Sequence, residues 1–143
     1  MARVSTYLNF ERDTEEAFNF YKSVFGTEFI GDIDRMGTAP EDPDHPLAEE
    51  DKDLVMNVQL PILAGHVLMG TDAPTSMGFH LVKGNNVYIN LEPDTREETG
   101  KLFNALKEGG NVEMDLQQMF WGDYFGSLTD KFGVKWMFNC SEK

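Results

Sequence analysis

Two stretches of this chain repeat each other: Tyr7-Leu8-Asn9-Phe10-Glu11-Arg12-Asp13-Thr14 and, 81 positions later, Tyr88-Ile89-Asn90-Leu91-Glu92-Pro93-Asp94-Thr95. Five of the eight positions are identical, and two more exchange one apolar residue for another. Such agreement is rare between unrelated segments, and an internal repeat on this scale is typical of a duplicated structural unit. The repeat therefore predicts two tandem modules within the 143 residues.

A strand followed by a helix is predicted at the start of each module. Residues 4–10 alternate between two faces, with Leu8 and Phe10 on one and polar residues on the other, which is typical of a strand. Asp13 then serves as the N-cap of a helix that ends at Gly26, and Asp94 is the corresponding cap in the second module. Glu16 completes a capping box in the first. The apolar positions expected along the two helices are Ala17, Phe20, Tyr21, Val24 and Phe25, then Leu102, Phe103 and Leu106.

Three further strands are predicted after each helix. They cover residues 27–33, 54–60 and 66–69 in the first module, and residues 112–116, 124–128 and 134–139 in the second. The closing hairpins also repeat, since Gly65-His66-Val67-Leu68-Met69 aligns with Gly133-Val134-Lys135-Trp136-Met137 at a spacing of 68. Each module is therefore predicted to be β-α-β-β-β. The first covers about residues 1–72, the second about 86–143, and residues 73–85 connect them.

The segment 35–53 is rich in proline and acidic residues, a composition that resists regular structure. It is predicted to be a long loop. Such a loop is either a solvated excursion or a flap over a pocket.

Charge and composition limit the partners. With 25 acidic and 12 basic residues the formal charge is −13, which disfavours nucleic acid because that affinity rests on Lys and Arg. The acidity either keeps the protein in solution or attracts a cationic small molecule. No apolar run approaches the roughly 18 residues of a membrane-spanning helix, so no membrane partner is expected. A single cysteine, Cys140, and the lack of a signal-peptide pattern predict a cytoplasmic location.

Several blocks together resemble a known family. They are Phe20-Tyr21-Lys22-Ser23-Val24-Phe25-Gly26, Gly65 to Asp72, Phe120-Trp121-Gly122, and Thr129-Asp130-Lys131-Phe132-Gly133-Val134-Lys135-Trp136-Met137. They are similar to the PhnB-like branch of the vicinal oxygen chelate superfamily (glyoxalase, bleomycin resistance proteins and dioxygenases), often labelled as a 3-demethylubiquinone-9 3-methyltransferase domain. The resemblance implies an α+β fold in which two tandem βαβββ modules form a curved mixed sheet around a cavity. It also implies a homodimer.

The resemblance also locates the positions where metal-dependent members bind their ion. One ligand comes from the first strand and one from the last strand of each module, which here gives Ser5, Met69, Asn86 and Met137. None is a His, Glu or Cys, the ligands that hard and borderline metal ions require. We therefore expect no metal and no other cofactor. The methyltransferase label lacks support as well, because no glycine-rich turn joins a strand to a helix.

Two functions remain open: a metal-independent protein that binds a flat or cationic organic ligand, and an enzyme of the same superfamily with an unassigned reaction. No catalytic residue is identified, since Asp72 and Asp123 are either bases or turn formers. The aromatic segment 120–126 either walls a pocket or meets a partner. Amide, phenol, thioether and indole groups suit a small-molecule site. The ligand-binding residues expected on this basis are Tyr7, Asn9, Met69, Asn86, Tyr88, Asn90, Trp121, Tyr124 and Met137.

Overall fold

The computed structural model describes residues 1–143 and divides them into two compact units, Met1–Leu81 and Val82–Lys143. The division falls inside the predicted connection, residues 73–85. Each unit has one helix and a four-stranded mixed sheet, so the predicted α+β class and the duplication are both confirmed.

The first unit contains β1 (Thr6–Phe10), α1 (Thr14–Phe25), β2 (Asp34–Arg35), β3 (Val55–Pro61) and β4 (Val67–Asp72). Its sheet has the order β1-β4-β3-β2, with β1 parallel to β4 and the other pairs antiparallel. Between β2 and β3 the chain forms only two short 3₁₀ turns, Met36–Thr38 and Glu49–Asp51, so the predicted long loop is present.

The second unit contains β5 (Ile89–Leu91), α2 (Arg96–Leu106), β6 (Asn111–Gln118), β7 (Tyr124–Thr129) and β8 (Lys135–Cys140). Its sheet has the equivalent order β5-β8-β7-β6, with β5 parallel to β8. Neither α1, with 12 residues, nor α2, with 11, is long and apolar enough to cross a lipid bilayer.

The closing hairpins share their strand bounds and one turn hydrogen bond. The bounds of β4 and β8 differ by the same 68 positions that separate the two sequence blocks. Ile62 N donates to His66 O at 2.7 Å in the first unit, and Asp130 N donates to Val134 O at 2.8 Å in the second. The hairpin alignment made from the sequence is therefore confirmed.

The helix of the first unit packs on its sheet through a face shifted from the predicted one. Its buried residues are Thr14, Ala17, Phe18 and Tyr21, whereas Phe20 is only half-buried. Phe18 lies directly over Gly70 of β4, where a Cβ atom would be 2.5 Å from the Phe18 ring. This close approach leaves room only for glycine at position 70.

Two strand predictions were wrong. No strand forms over residues 27–33, and β2 covers only the two residues that follow. Gly31 adopts a left-handed φ of 70°, which breaks an extended chain. One backbone bond, from Ile30 N to Gln59 O (3.0 Å), and one side-chain bond, from Thr27 Oγ1 to Pro61 O (2.6 Å), link this segment to β3. In the second unit the alternation of Val87, Ile89 and Leu91 in the sequence predicts a longer strand, but β5 begins at Ile89 and Val87 is 72% exposed.

The helix caps also differ from the prediction. Thr95, not Asp94, caps α2, and its side chain accepts from Glu98 N at 3.1 Å. Asp13 stands at the cap position of α1, yet its carboxylate accepts no capping bond, so the predicted capping box is absent. Thr14 N at the start of α1 instead donates to Asp72 of β4 at 3.1 Å. A tertiary contact has replaced the local one.

Candidate functional site

Each sheet has one face packed on its helix and a second face that we call the open face. In the first unit the open face carries Tyr7 and Asn9 of β1, which pair with Met69 and Thr71 of β4. Alternation of side chains places these residues opposite the buried Leu68, Gly70 and Asp72. Tyr7 is 49% exposed. The structure therefore brings Tyr7, Asn9 and Met69 together.

The first pair of expected metal positions lies in contact on this face. Ser5 Oγ donates to Met69 Sδ at 3.5 Å. A hydroxyl and a thioether are poor ligands for Zn²⁺, Ni²⁺, Fe²⁺ or Mn²⁺. This pair does not fit the metal of the catalytic relatives.

The open face of the second unit carries Asn90 beside Met137, which pairs with Ser127 on its other side. Here the register differs from the repeat. Tyr7 is the β1 neighbour of Met69, whereas Asn90, not Tyr88, is the β5 neighbour of Met137. The register of β5 on β8 is therefore shifted by two residues from that of β1 on β4. A shift of two leaves each side chain on the same face of the sheet but changes which residue lies beside Met137.

This slip changes one predicted position. Asn86 lies in a bend before β5 and not on the sheet. By register, the residue that corresponds to Ser5 is Tyr88, because it precedes Asn90 by two as Ser5 precedes Tyr7. Tyr88 and Met137 again provide no imidazole or carboxylate. No three His, Cys, Asp or Glu side chains of the chain are grouped so that they could hold a metal ion.

A polar network surrounds Tyr88 that the sequence did not predict. Its hydroxyl donates to Glu113 Oε1 at 2.9 Å, and Lys135 Nζ donates to Glu113 Oε2 at 2.6 Å. Lys135 also donates to Thr129 Oγ1 at 3.0 Å and lies 5.3 Å from the centre of the Tyr88 ring. Lys135 and Met137 share a face of β8, and this alternation was the signal that could have found the network.

The network holds fixed protonation states near neutral pH. The hydrogen bond from Lys135 keeps the pKa of Glu113 below its ordinary value of 4.5. The bond to Glu113 in turn raises the pKa values of Lys135 and Tyr88 above their ordinary ones. General acid–base catalysis favours groups whose pKa lies near the working pH. These shifts move all three groups away from it, so the network suits recognition of a ligand better than proton transfer.

The aromatic segment contributes to the open face of the second unit through Phe125. Phe125 pairs with Asn139 of β8, and Trp121 packs edge-on against it with ring centres 6.0 Å apart. Trp121 is 49% exposed. Asp123 is the second of the two suggested bases. Its Oδ2 atom accepts a hydrogen bond from Asn139 Nδ2 at 3.0 Å.

Tyr124 lies elsewhere. It pairs with the buried Cys140, and the Arg96 guanidinium of α2 lies 4.8 Å from the centre of its ring. Tyr124 is therefore on the face toward the helix and is not brought together with Asn90 and Met137.

Asp72, the other suggested base, has a structural role. It is 2% exposed, and its carboxylate accepts from Thr14 N, from Thr14 Oγ1 at 2.7 Å and from Val55 N at 2.8 Å. These bonds join the start of α1 and the start of β3 to the end of β4. The buried, hydrogen-bonded carboxylate of Asp72 is therefore not accessible to a substrate.

Known proteins match this chain over nearly its whole length. The family model described as 3-demethylubiquinone-9 3-methyltransferase matches residues 2–138. Protein YjdN of Escherichia coli (strain K12) is 31% identical over 146 aligned positions, covering 95% of this chain and 93% of that protein. The structure of protein PA1353 from Pseudomonas aeruginosa is 33% identical with a TM-score of 0.85 and covers 100% of both chains.

Two further structures share the fold of this chain. A putative 3-demethylubiquinone-9 3-methyltransferase, PhnB protein, from Bacillus cereus is 27% identical with a TM-score of 0.73, covering 97% of this chain and 99% of that one. A glyoxalase/bleomycin resistance protein/dioxygenase family enzyme from Burkholderia phytofirmans PsJN shares the fold, with a TM-score of 0.63 at 18% identity over 96% and 98% of the chains. The chain therefore belongs to the family described as 3-demethylubiquinone-9 3-methyltransferase, is similar to a PhnB protein of that description, and shares its fold with a glyoxalase/bleomycin resistance protein/dioxygenase family enzyme.

Proposed function

We propose that this protein binds a flat or cationic organic molecule on the open faces of its sheets without a metal ion. One observation carries the proposal: both open faces combine a methionine with amide or phenol groups on the adjacent strand, Tyr7 beside Met69 and Asn90 beside Met137. Thioethers adapt to irregular shapes, and neutral polar groups orient a ligand. Exposed aromatic rings attract flat or cationic ones.

The chemistry of the same faces argues against a metal. Ser5 with Met69, and Tyr88 with Met137, offer hydroxyl and thioether groups at the positions where metal-dependent relatives place their ligands. A thioether suits a soft ion such as Cu(I), not the divalent ions of metalloenzymes. The residues therefore do not fit a catalytic metal.

The family's methyltransferase description is not part of this proposal. A nucleotide-like cofactor is usually held where a glycine-rich turn joins a strand to a helix. The turn from β1 to α1 is Glu11-Arg12-Asp13, and the turn from β5 to α2 is Glu92-Pro93-Asp94-Thr95. Neither contains a glycine, so neither allows the close backbone approach that such a cofactor needs.

Ethidium, a flat aromatic cation, provides a test. We expect saturable binding that raises the thermal midpoint, because a ligand that binds only the folded state stabilises it. Trp121→Ala should weaken binding about tenfold, since loss of one aromatic contact costs about 1.4 kcal/mol. Fluorescence titration measures the affinity.

Phe79→Ala is the matched control. Phe79 is 50% exposed, as Trp121 is 49% exposed, but it lies in the first unit outside any strand. Binding that Phe79→Ala weakens as much as Trp121→Ala, or the absence of binding, would contradict the proposal. Recovery of chemically altered ethidium would favour the alternative, an enzyme of the same superfamily.

The homodimer, the cytoplasmic location and the lack of a nucleic-acid partner stay predictions. For the last, the net charge of −13 remains the supporting observation.

A further inference from the structure

The loop between β2 and β3 forms a cavity of its own that is partly open to solvent. The cavity has a volume of about 190 Å³. It is lined by residues of the loop, among them Lys52, and by Met77 of the segment after β4. None of its lining residues belongs to an open face. We propose that this cavity, the loop cavity, is a second binding site that accepts a small organic ammonium ion with an apolar body.

Much of the lining of the loop cavity is apolar. Met36, Leu47 and Met77 line it together with Ala39 and Pro40. Met77 is 38% exposed, so a ligand would cover apolar surface that now faces water. Two methionines adapt well to ligands of different outline.

The charge in and around the cavity favours a cation, because Glu41 and Asp42 line it together with Lys52 and the loop around it is acidic. Seven acidic residues and one lysine lie between residues 41 and 53. Lys52 Nζ is paired with Glu49 Oε2 at 2.8 Å, and Asp42 Oδ2 is paired with His45 Nδ1 at 3.1 Å. The Glu41 carboxylate makes no hydrogen bond or ion pair, although its charge adds to the rise in the pKa of Lys52. Of the two carboxylates that line the cavity, Glu41 is therefore the one better placed to receive an ammonium.

The base of the loop is held in place, so the cavity is formed before a ligand arrives. Arg35 Nη1 and Nη2 each donate to the Glu15 carboxylate at 2.9 Å, and Met36 N donates to Leu54 O at 2.9 Å. Gly37 N donates to Lys52 O at 2.8 Å, and a Cβ at position 37 would be 2.9 Å from Lys52 Cβ. The chain segments around Gly37 and Lys52 therefore approach each other more closely than a side chain at position 37 would allow.

A buried carboxylate also holds the end of the loop next to β3 in place. Asp51 is 1% exposed; it is paired with Arg12 and accepts from Ser76 Oγ at 2.8 Å. Ser76 precedes Met77, so this bond also fixes the wall of the cavity. A preformed site spares the ligand the cost of ordering the loop.

Benzyltrimethylammonium is a suitable probe, because it joins a permanent cation to an apolar ring at a size that the cavity accommodates. Methionine methyl groups labelled with ¹³C report its position by NMR, with Met36→Leu and Met77→Leu used to assign the two signals. We expect saturable shifts of the Met36 and Met77 methyls with a Kd in the millimolar range, as is usual for a ligand of about eleven heavy atoms. Benzyl alcohol and phenylacetate, neutral and anionic analogues, should bind at least about fivefold more weakly.

Glu41→Gln should weaken binding of benzyltrimethylammonium about fivefold. Glu50→Gln removes an exposed charge of the same loop outside the cavity and should leave the Kd unchanged. Equal effects of the two variants would mean attraction by the overall charge and would overturn the proposal. So would equal binding of the three probes, or shifts absent at Met36 and Met77. The Met69 and Met137 methyls report the open faces, so a failure of the loop cavity is distinguishable from a failure of the proposed function.

Discussion

Replacing Asp72 by alanine is expected to lower the free energy of unfolding by about 3–5 kcal/mol. The carboxylate is 2% exposed and accepts three hydrogen bonds, two from Thr14 and one from Val55 N. Its removal leaves buried backbone donors at the start of α1 and of β3 without partners, and each such group costs about 1–3 kcal/mol. Urea denaturation followed by far-ultraviolet circular dichroism measures the change.

Asp72→Asn is the matched variant. An amide can still accept the bonds from Thr14 through its oxygen, but its NH₂ group faces Val55 N, so we expect roughly half of the loss. If Asp72→Ala cost less than about 1 kcal/mol, the carboxylate would not be the joint between helix and sheet that the structure indicates.

The second large effect is expected at Asp130, the buried carboxylate of the other unit. It is 3% exposed and accepts from Trp136 Nε1 and Phe132 N, both at 2.8 Å, and from Val134 N at 3.1 Å. Asp130→Ala should cost about 3–4 kcal/mol, because the indole N–H and two turn amides lose their acceptor. In a Trp121→Phe background, Trp136 is the remaining tryptophan and its emission reports unfolding of this unit.

Asp123→Ala serves as the control for Asp130. Asp123 is half-buried and accepts one side-chain bond, from Asn139 Nδ2 at 3.0 Å. Its loss should cost less than about 1.5 kcal/mol. Equal destabilisation by the two variants would show that burial and the number of bonds at Asp130 do not set its contribution.

Much of the fold was predictable because the chain repeats itself. Alternation and the two repeats located β1, β3, β4 and the strands β6 to β8 to within three residues. The failures have physical causes. Residues 27–33 have strand-like composition, but Gly31 turns the chain before a ladder can form. At the caps, the repeat pointed to Asp94, whereas α2 begins 82 positions after α1 and thus after Thr95.

Less of the candidate site was predictable, because the site depends on register between strands. Alternation placed Tyr7 and Asn9 on one face of β1, the resemblance placed Met69 near them, and in the structure Tyr7 pairs with Met69. It could not reveal that β5 has slipped by two residues, which brings Asn90, and not Tyr88, beside Met137. Alternation places Lys135 on the same face of β8 as Met137, but the contacts of Lys135 and Tyr88 with Glu113 depend on strand pairing that a local pattern does not show.

The measurement that tests metal-independent binding most directly is the metal content of tag-free protein, with ethidium affinity determined on the same sample before and after dialysis against EDTA. We predict less than about a tenth of an equivalent of transition metal per chain, and an unchanged ethidium Kd after dialysis, because the residues at the expected ligand positions cannot hold such an ion. About one equivalent of bound metal whose removal abolishes ethidium binding would contradict the account.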